Sequence, residues 1–176
     1  MVSRQERFGN LEFPERVLRF PADRSLGMLY LCAEGRFRDH QSETEVSEAS
    51  GEVRVPMDAS VKLKLSKSGA EDLTPLLGLG PDALQAIEMI SGGYGDDRLA
   101  HLGGLVGLRH LEIGWGITNK GLAHLRSLPN LRGLDIYSDD VTDSGLAEIG
   151  RLSSLEELTI GHATITDAGV AFVVRE

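Results

Sequence analysis

From Leu84 to the last residue, one short pattern is written four times with a period of about 24 residues. The units read LQAIEMISGGYGDDRLAHLGGLVG, LRHLEIGWGITNKGLAHLRSLPN, LRGLDIYSDDVTDSGLAEIGRLSS and LEELTIGHATITDAGVAFVVRE. A segment this short cannot enclose a core by itself. Its apolar side must be covered by neighbouring segments, so a chain built this way stacks layer on layer.

Within a unit the spacing of the apolar residues changes once. Leu134 and Ile136 alternate with polar residues, the period-two pattern of a half-buried strand. Further on the spacing becomes three, at Leu146, Ile149 and Leu152, which suits a short helix or 3₁₀ segment with one buried stripe. Leu122, Leu125 and Leu128 repeat that set one unit earlier, and Leu99, Leu102 and Leu105 the unit before. Each unit therefore reads strand, turn, helix, turn. Between strand and helix lie Thr118-Asn119, Thr142-Asp143 and Thr166-Asp167, with Asp96-Asp97 equivalent in the first unit. Side chains of these types accept hydrogen bonds from the free amides of a helix start, and the expectation is that they cap the helices.

The blocks Ile117-Thr118-Asn119-Lys120-Gly121-Leu122, Val141-Thr142-Asp143-Ser144-Gly145-Leu146 and Ile165-Thr166-Asp167-Ala168-Gly169-Val170 lie between Leu-x-x-Leu-x-Ile strands. They resemble bacterial leucine-rich repeats of the I-T-D-x-G-L type. The resemblance covers Leu84 to Glu176 strongly and Val61 to Leu79 weakly. It implies an α/β leucine-rich-repeat solenoid, with a parallel β-sheet on the concave side and short helices on the convex side. It is specific for fold and not for function. The chain departs from the pattern where such repeats place an Asn or Thr against the turn backbone, reading Gly116, Asp139 and Ala163 instead. A continuous side-chain ladder there is not expected, and water or neighbouring carbonyls must serve those turn amides.

A chain of 176 residues with 41% hydrophobic content is one domain's worth, and only 5% aromatic content fits thin repeated layers. The formal net charge of −9 argues against nucleic acid and against an anionic membrane surface, since phosphate binding needs an excess of Lys and Arg. The single cysteine, Cys32, cannot form an internal disulfide and reads as inert core in an apolar strand. No apolar run reaches the length of a signal or membrane segment, and the expected setting is cytoplasmic.

Two regions follow from the pattern. Residues 1–58 read as an N-terminal β-rich cap on the same sheet: a charged tail, a strand at Val17 to Phe20, and an apolar strand from Leu26 to Ala33 partnered by Glu52 to Val55. Residues 38–51, rich in carboxylates and poor in apolar groups, read as a long exposed acidic loop. Residues 59–176 hold one degenerate and four full repeats, the degenerate one built on Val61, Leu63 and Leu65 with Leu73, Leu76 and Leu79. No cap follows the last helix, so either a longer protein is cut there or this end meets another chain, as in a homodimer.

Stacked in register, equal positions form columns. One column reads Lys64, Glu88, Glu112, Asp135 and Thr159; the next reads Lys62, Ala86, His110, Gly133 and Glu157; a third holds Ile90, Gly114, Tyr137 and Gly161, beside Trp115 and His162. Glu112 beside Asp135 is a like-charged pair that costs stability. The candidate protein-binding residues are Glu88, His110, Glu112, Trp115, Asp135, Tyr137, Glu157 and His162, an acidic, aromatic-edged face suited to a basic protein surface. The competing reading is a solvated carboxylate row with Trp115 covering a turn.

Catalytic, metal and cofactor roles find less support. His101, His124 and Glu148 recur with the unit on the solvent side, and Asp139, Asp140 and Asp143 lack calcium-loop spacing. His110 has the chemistry of a general base, yet no Ser or Cys nucleophile matches it. Ser91-Gly92-Gly93-Tyr94-Gly95 lacks the Gly-Lys-Ser/Thr ending of a phosphate loop and reads as a turn. The expected function is non-catalytic protein binding without cofactor or metal. The alternatives are a structural segment of a longer repeat protein, or an inhibitor or immunity-type partner of a basic enzyme.

Overall fold

The computed structural model describes residues 14–33, 35–90 and 95–174. The N-terminal tail, residues 91–94 of the glycine-rich turn and residues 175–176 lie outside the described residues. The strands are β1 (Glu15–Arg19), β2 (Gly27–Cys32), β3 (Thr44–Glu48), β4 (Glu52–Pro56), β5 (Ser60–Leu65), β6 (Ala86–Met89), β7 (His110–Ile113), β8 (Gly133–Tyr137) and β9 (Glu157–Gly161).

Beginning at β5, each strand pairs parallel with the next, through β6, β7 and β8 to β9. A parallel step requires a return segment, and each unit supplies one on the same side of the sheet. After β5 the return is made of 3₁₀ turns at Gly69–Glu71 and Thr74–Gly78, and after β6 of a 3₁₀ segment at Asp96–Leu102. Helix α1 (Asn119–Leu122) runs into a 3₁₀ segment at Ala123–Ser127, and helices α2 (Asp143–Ile149) and α3 (Asp167–Val170) follow β8 and β9. The class is α/β with a mostly parallel sheet.

Alternation sets the two faces of that sheet. Leu63, Ile87, Leu111 and Leu134 are mutual neighbours in register and wholly buried, as are Ile113 and Ile136. They meet the stripe formed by Leu99, Leu102, Leu122, Leu125, Leu146 and Ile149, which closes the core between sheet and helical segments.

Thr118, Thr142 and Thr166 stand at the N-cap positions as expected, but the turn side chains do more than cap. Only Thr118 accepts from its own helix, at Lys120 N, 3.2 Å away. Asp96 instead reaches the next unit, accepting from Thr118 N at 2.8 Å and Thr118 Oγ1 at 2.7 Å. Asn119 Oδ1 accepts from Thr142 N at 3.0 Å, and Asp143 accepts from Thr166 N and Oγ1 at 2.9 and 2.6 Å. The ladder joins layers rather than finishing helices. It also explains the glycines: a Cβ on Gly121, Gly145 or Gly169 would overlap the Oδ1 of Asp96, Asn119 or Asp143. At the turn where no ladder was expected, Ser138 Oγ donates to Ile117 O at 2.8 Å, one residue before Asp139.

The N-terminal region differs from expectation in two ways. Glu52 to Val55 is not the partner of the apolar strand: β4 pairs antiparallel with β1 in a separate two-stranded sheet. Strand β2 lies between β3 and β5, antiparallel to both. The acidic stretch 38–51 is therefore not one exposed loop, because Thr44–Glu48 within it is strand β3, the outer strand of the main sheet. Its order comes from backbone pairing and ion pairs, which a count of apolar residues does not register. Glycine is required at Gly27 (φ 148°), where a Cβ would run into the backbone of Lys64.

Candidate functional site

The columns read from the sequence form as neighbours. Lys64, Glu88, Glu112, Asp135 and Thr159 lie side by side across β5 to β9, and Lys62, Ala86, His110, Gly133 and Glu157 beside them. Several members of the columns are closed off from solvent, while Glu157 and Thr159 at the outer strand are exposed. Lys62 is 1% exposed, His110 and Asp135 4% each, and Glu88 8%.

The cover comes from the chain itself. The connection between β2 and β3 crosses this face, shaped by turns that bond Arg36 N to Ala33 O, Asp39 N to Arg36 O and Ser42 N to Asp39 O. The Phe37 ring stacks on His110 with centroids 6.2 Å apart. Arg38 grips Asp135 with two hydrogen bonds, Nε to Oδ2 at 2.9 Å and Nη2 to Oδ1 at 2.5 Å, and its Nη1 reaches Glu157 Oε2 at 2.7 Å. Glu43, with a side chain 4% exposed, lies between Lys62 Nζ at 2.9 Å and Lys64 Nζ at 2.8 Å. Lys62 Nζ also donates to Phe37 O at 3.1 Å and sits 2.9 Å from Glu88 Oε2. This is a charge network in which buried ions are compensated by several partners at once.

The carboxylates within it are not equivalent. Burial opposes ionisation of Asp135, but the His110 ring beside it and hydrogen bonds from Arg38 and Thr159 together outweigh it and hold the carboxyl down at about 2. Burial also opposes ionisation of Glu112, with Glu88 and Asp135 on either side, and its carboxyl is pushed up. Among the described residues no hydrogen bond or ion pair reaches the Glu112 carboxylate, while its strand pairs with the neighbours on either side. His110 Nε2 lies 3.2 Å from Asp135 Oδ2 but out of line for a hydrogen bond, and has no other partner.

Of the sequence candidates, Glu88, His110, Glu112, Asp135 and Glu157 converge on this network. Of the others, Tyr137 borders the network two residues beyond Asp135 on β8, and Trp115 and His162 form a rim past the strand ends. Trp115, 47% exposed, rests against His162 with ring centroids 5.0 Å apart. His162 takes a left-handed backbone conformation (φ 65°), unusual outside glycine. Tyr137 is half-buried, and burial with Asp135 and Glu112 nearby pushes its hydroxyl up. The residues missed from the sequence are Phe37, Arg38 and Glu43; Lys62 was read as a column position but not as a member of the site. The readable signal was Phe37-Arg38, an aromatic and a cation heading an otherwise acidic stretch.

Catalytic chemistry gains no support here: the Cys32 thiol is pushed up to about 11 by burial, with Glu43 adding to it, which disfavours the nucleophilic thiolate. His101, His124 and Glu148 do not converge; Glu148 pairs with Arg126 and Arg151. No helix among the described residues is long and apolar enough to cross a membrane.

No family model and no curated protein matches the sequence. Among solved structures, the chain is similar to an internalin (inlF) from Listeria monocytogenes, at 21% identity and a TM-score of 0.38. That likeness covers 58% of this chain and 35% of the other.

Proposed function

We propose that the chain is a non-catalytic protein-interaction module of the leucine-rich-repeat kind, its repeats a solenoid at 59–176 and its β-rich cap at 1–58. The repeat reading is supported by one parallel strand and one return segment per unit, joined by the Asp/Asn-to-Thr ladder. One observation carries the binding reading: an exposed aromatic rim, Trp115 with His162, borders a carboxylate column already able to hold a guanidinium. Arg38 displays within the chain the kind of group a basic partner would present, and Trp115 and Tyr137 are the anchors. The partner is a protein with a basic surface, met at Glu157, Glu112 and the rim, in a cytoplasmic setting.

The test is affinity capture with wild type and a Trp115→Ala, Tyr137→Ala double variant at low and high salt. A partner held by wild type, released by salt and lost in the variant supports the reading. Equal capture by both proteins overturns it.

A second mode is favoured by the outer side of β9. Leu158 and Ile160 are only half-buried, Val170 and Phe172 are exposed, and among the described residues Asp167 has none of the interlayer bonds made by Asp96, Asn119 and Asp143. Here a second copy would pair edge to edge, and sedimentation of Ile160→Lys against wild type decides: an unchanged molecular mass removes this mode.

A further inference from the structure

We propose that His110, Glu112 and Asp135 form a binding site for one divalent transition-metal ion, with Zn²⁺ as its probe. The inference does not depend on the protein-binding reading. Strands β7 and β8 place the three side chains together through the pairing of His110 with Gly133 and Glu112 with Asp135, and their ligand atoms lie within 4.8 Å of one another. Gly133 makes room, since a Cβ there would meet the His110 ring.

Acidic groups close together do not make a metal site; the histidine is what points to one. Its Nε2 is buried, without a hydrogen bond, and 3.2 Å from Asp135 Oδ2. A nitrogen and an oxygen bound tetrahedrally to one zinc, each about 2.0–2.2 Å from it, stand about 3.3–3.6 Å apart. The separation is close to that of two ligands sharing an ion, and no in-line hydrogen bond accounts for it.

Charge points the same way. Five carboxylates, on Glu43, Glu88, Glu112, Asp135 and Glu157, face the three cations Arg38, Lys62 and Lys64, which leaves an excess of acidic groups. A dication offsets that excess, and it does so at Glu112, the carboxylate without a cation of its own. The grip of Arg38 on Asp135 is compatible with coordination, because each carboxylate oxygen has two lone pairs and a ligating carboxylate is commonly oriented by a further hydrogen-bond donor. One imidazole and two carboxylates suit zinc and its first-row neighbours, whereas calcium and magnesium prefer all-oxygen shells of six or more ligands. Three protein ligands leave a fourth position for water or an incoming group.

The experiment is calorimetric titration of the full chain, stripped with EDTA, against ZnCl₂, CaCl₂ and MgCl₂. Wild type is expected to take up one zinc ion, reversibly with EDTA, and to discriminate against calcium and magnesium. Glu112→Gln and His110→Gln should each weaken zinc by about tenfold or more, while His124→Gln and His162→Gln leave it unchanged. Glu112→Gln should also raise the melting temperature of the metal-free protein by relieving repulsion, so its loss of zinc is not explained by unfolding. If His110→Gln does not fold, Glu112→Gln decides. No zinc uptake by wild type, unchanged affinity in Glu112→Gln, or loss of binding on removing His124 or His162 overturns the proposal.

Discussion

At the scale of single residues, the ladder makes specific demands. Asp96 holds both the amide and the hydroxyl of Thr118, and Asp96→Ala leaves them without it, at an expected cost of about 1–3 kcal/mol in chemical denaturation. Gly121→Ala should destabilise too, because the new methyl displaces the same carboxylate; the double variant should cost less than the sum, since both act on one contact. Asp72 gives a pH dependence with a defined sign. Hydrogen bonds from the Thr74 side chain and backbone and from Arg24 lower its carboxyl from an ordinary 3.8 to about 2. Its contribution is therefore present above about pH 4 and lost as pH falls toward 2. Asp72→Asn should lower the slope of the stability profile across that window and leave the rest unchanged, the remaining slope there coming from groups such as Asp135 that are held down to the same range. The positions of these Thr, Asn and Asp residues were legible in the sequence, but their partners were not. A cap and an interlayer bond require the same residue types, and only the stacking distance tells them apart.

At the scale of elements, the columns were legible and their occupant was not. Strand register follows from a period of about 24 residues, so Glu88, Glu112 and Asp135 could be aligned on paper. Arg38 reaches Asp135 across 97 positions of sequence, and no periodicity carries that information. The same limit hid β3, which lacks an apolar run and is held in place by β2. Removing the guanidinium with Arg38→Gln should cost about 1–3 kcal/mol, because a buried carboxylate loses its charged donor. Hydrogen exchange should report the loss locally, with faster exchange at the amides of Asp39 and Ser42 while those of β7 keep their protection. Equal protection of this connection in both proteins would mean that Phe37 and Glu43 hold it without Arg38.

At the scale of the molecule, burial declines toward one end. Leu134 is wholly enclosed between layers, while its register partner Leu158 is half-buried. Leu134→Ala should cost about 2–5 kcal/mol and Leu158→Ala clearly less, as denaturant titrations will show; equal costs would mean that the outer layer is as tightly packed as the inner ones. A stacked array ordinarily feels only its nearest neighbours, so that its layers can fray one at a time. Arg38 departs from that rule. Anchored between β2 and β3, it holds β8 and β9 across the intervening strands, as a guy rope ties a mast to ground that its own base does not touch. Slackening the outer layers therefore pulls on the N-terminal hairpin, and the chain should melt in one sharp step that broadens when the rope is cut.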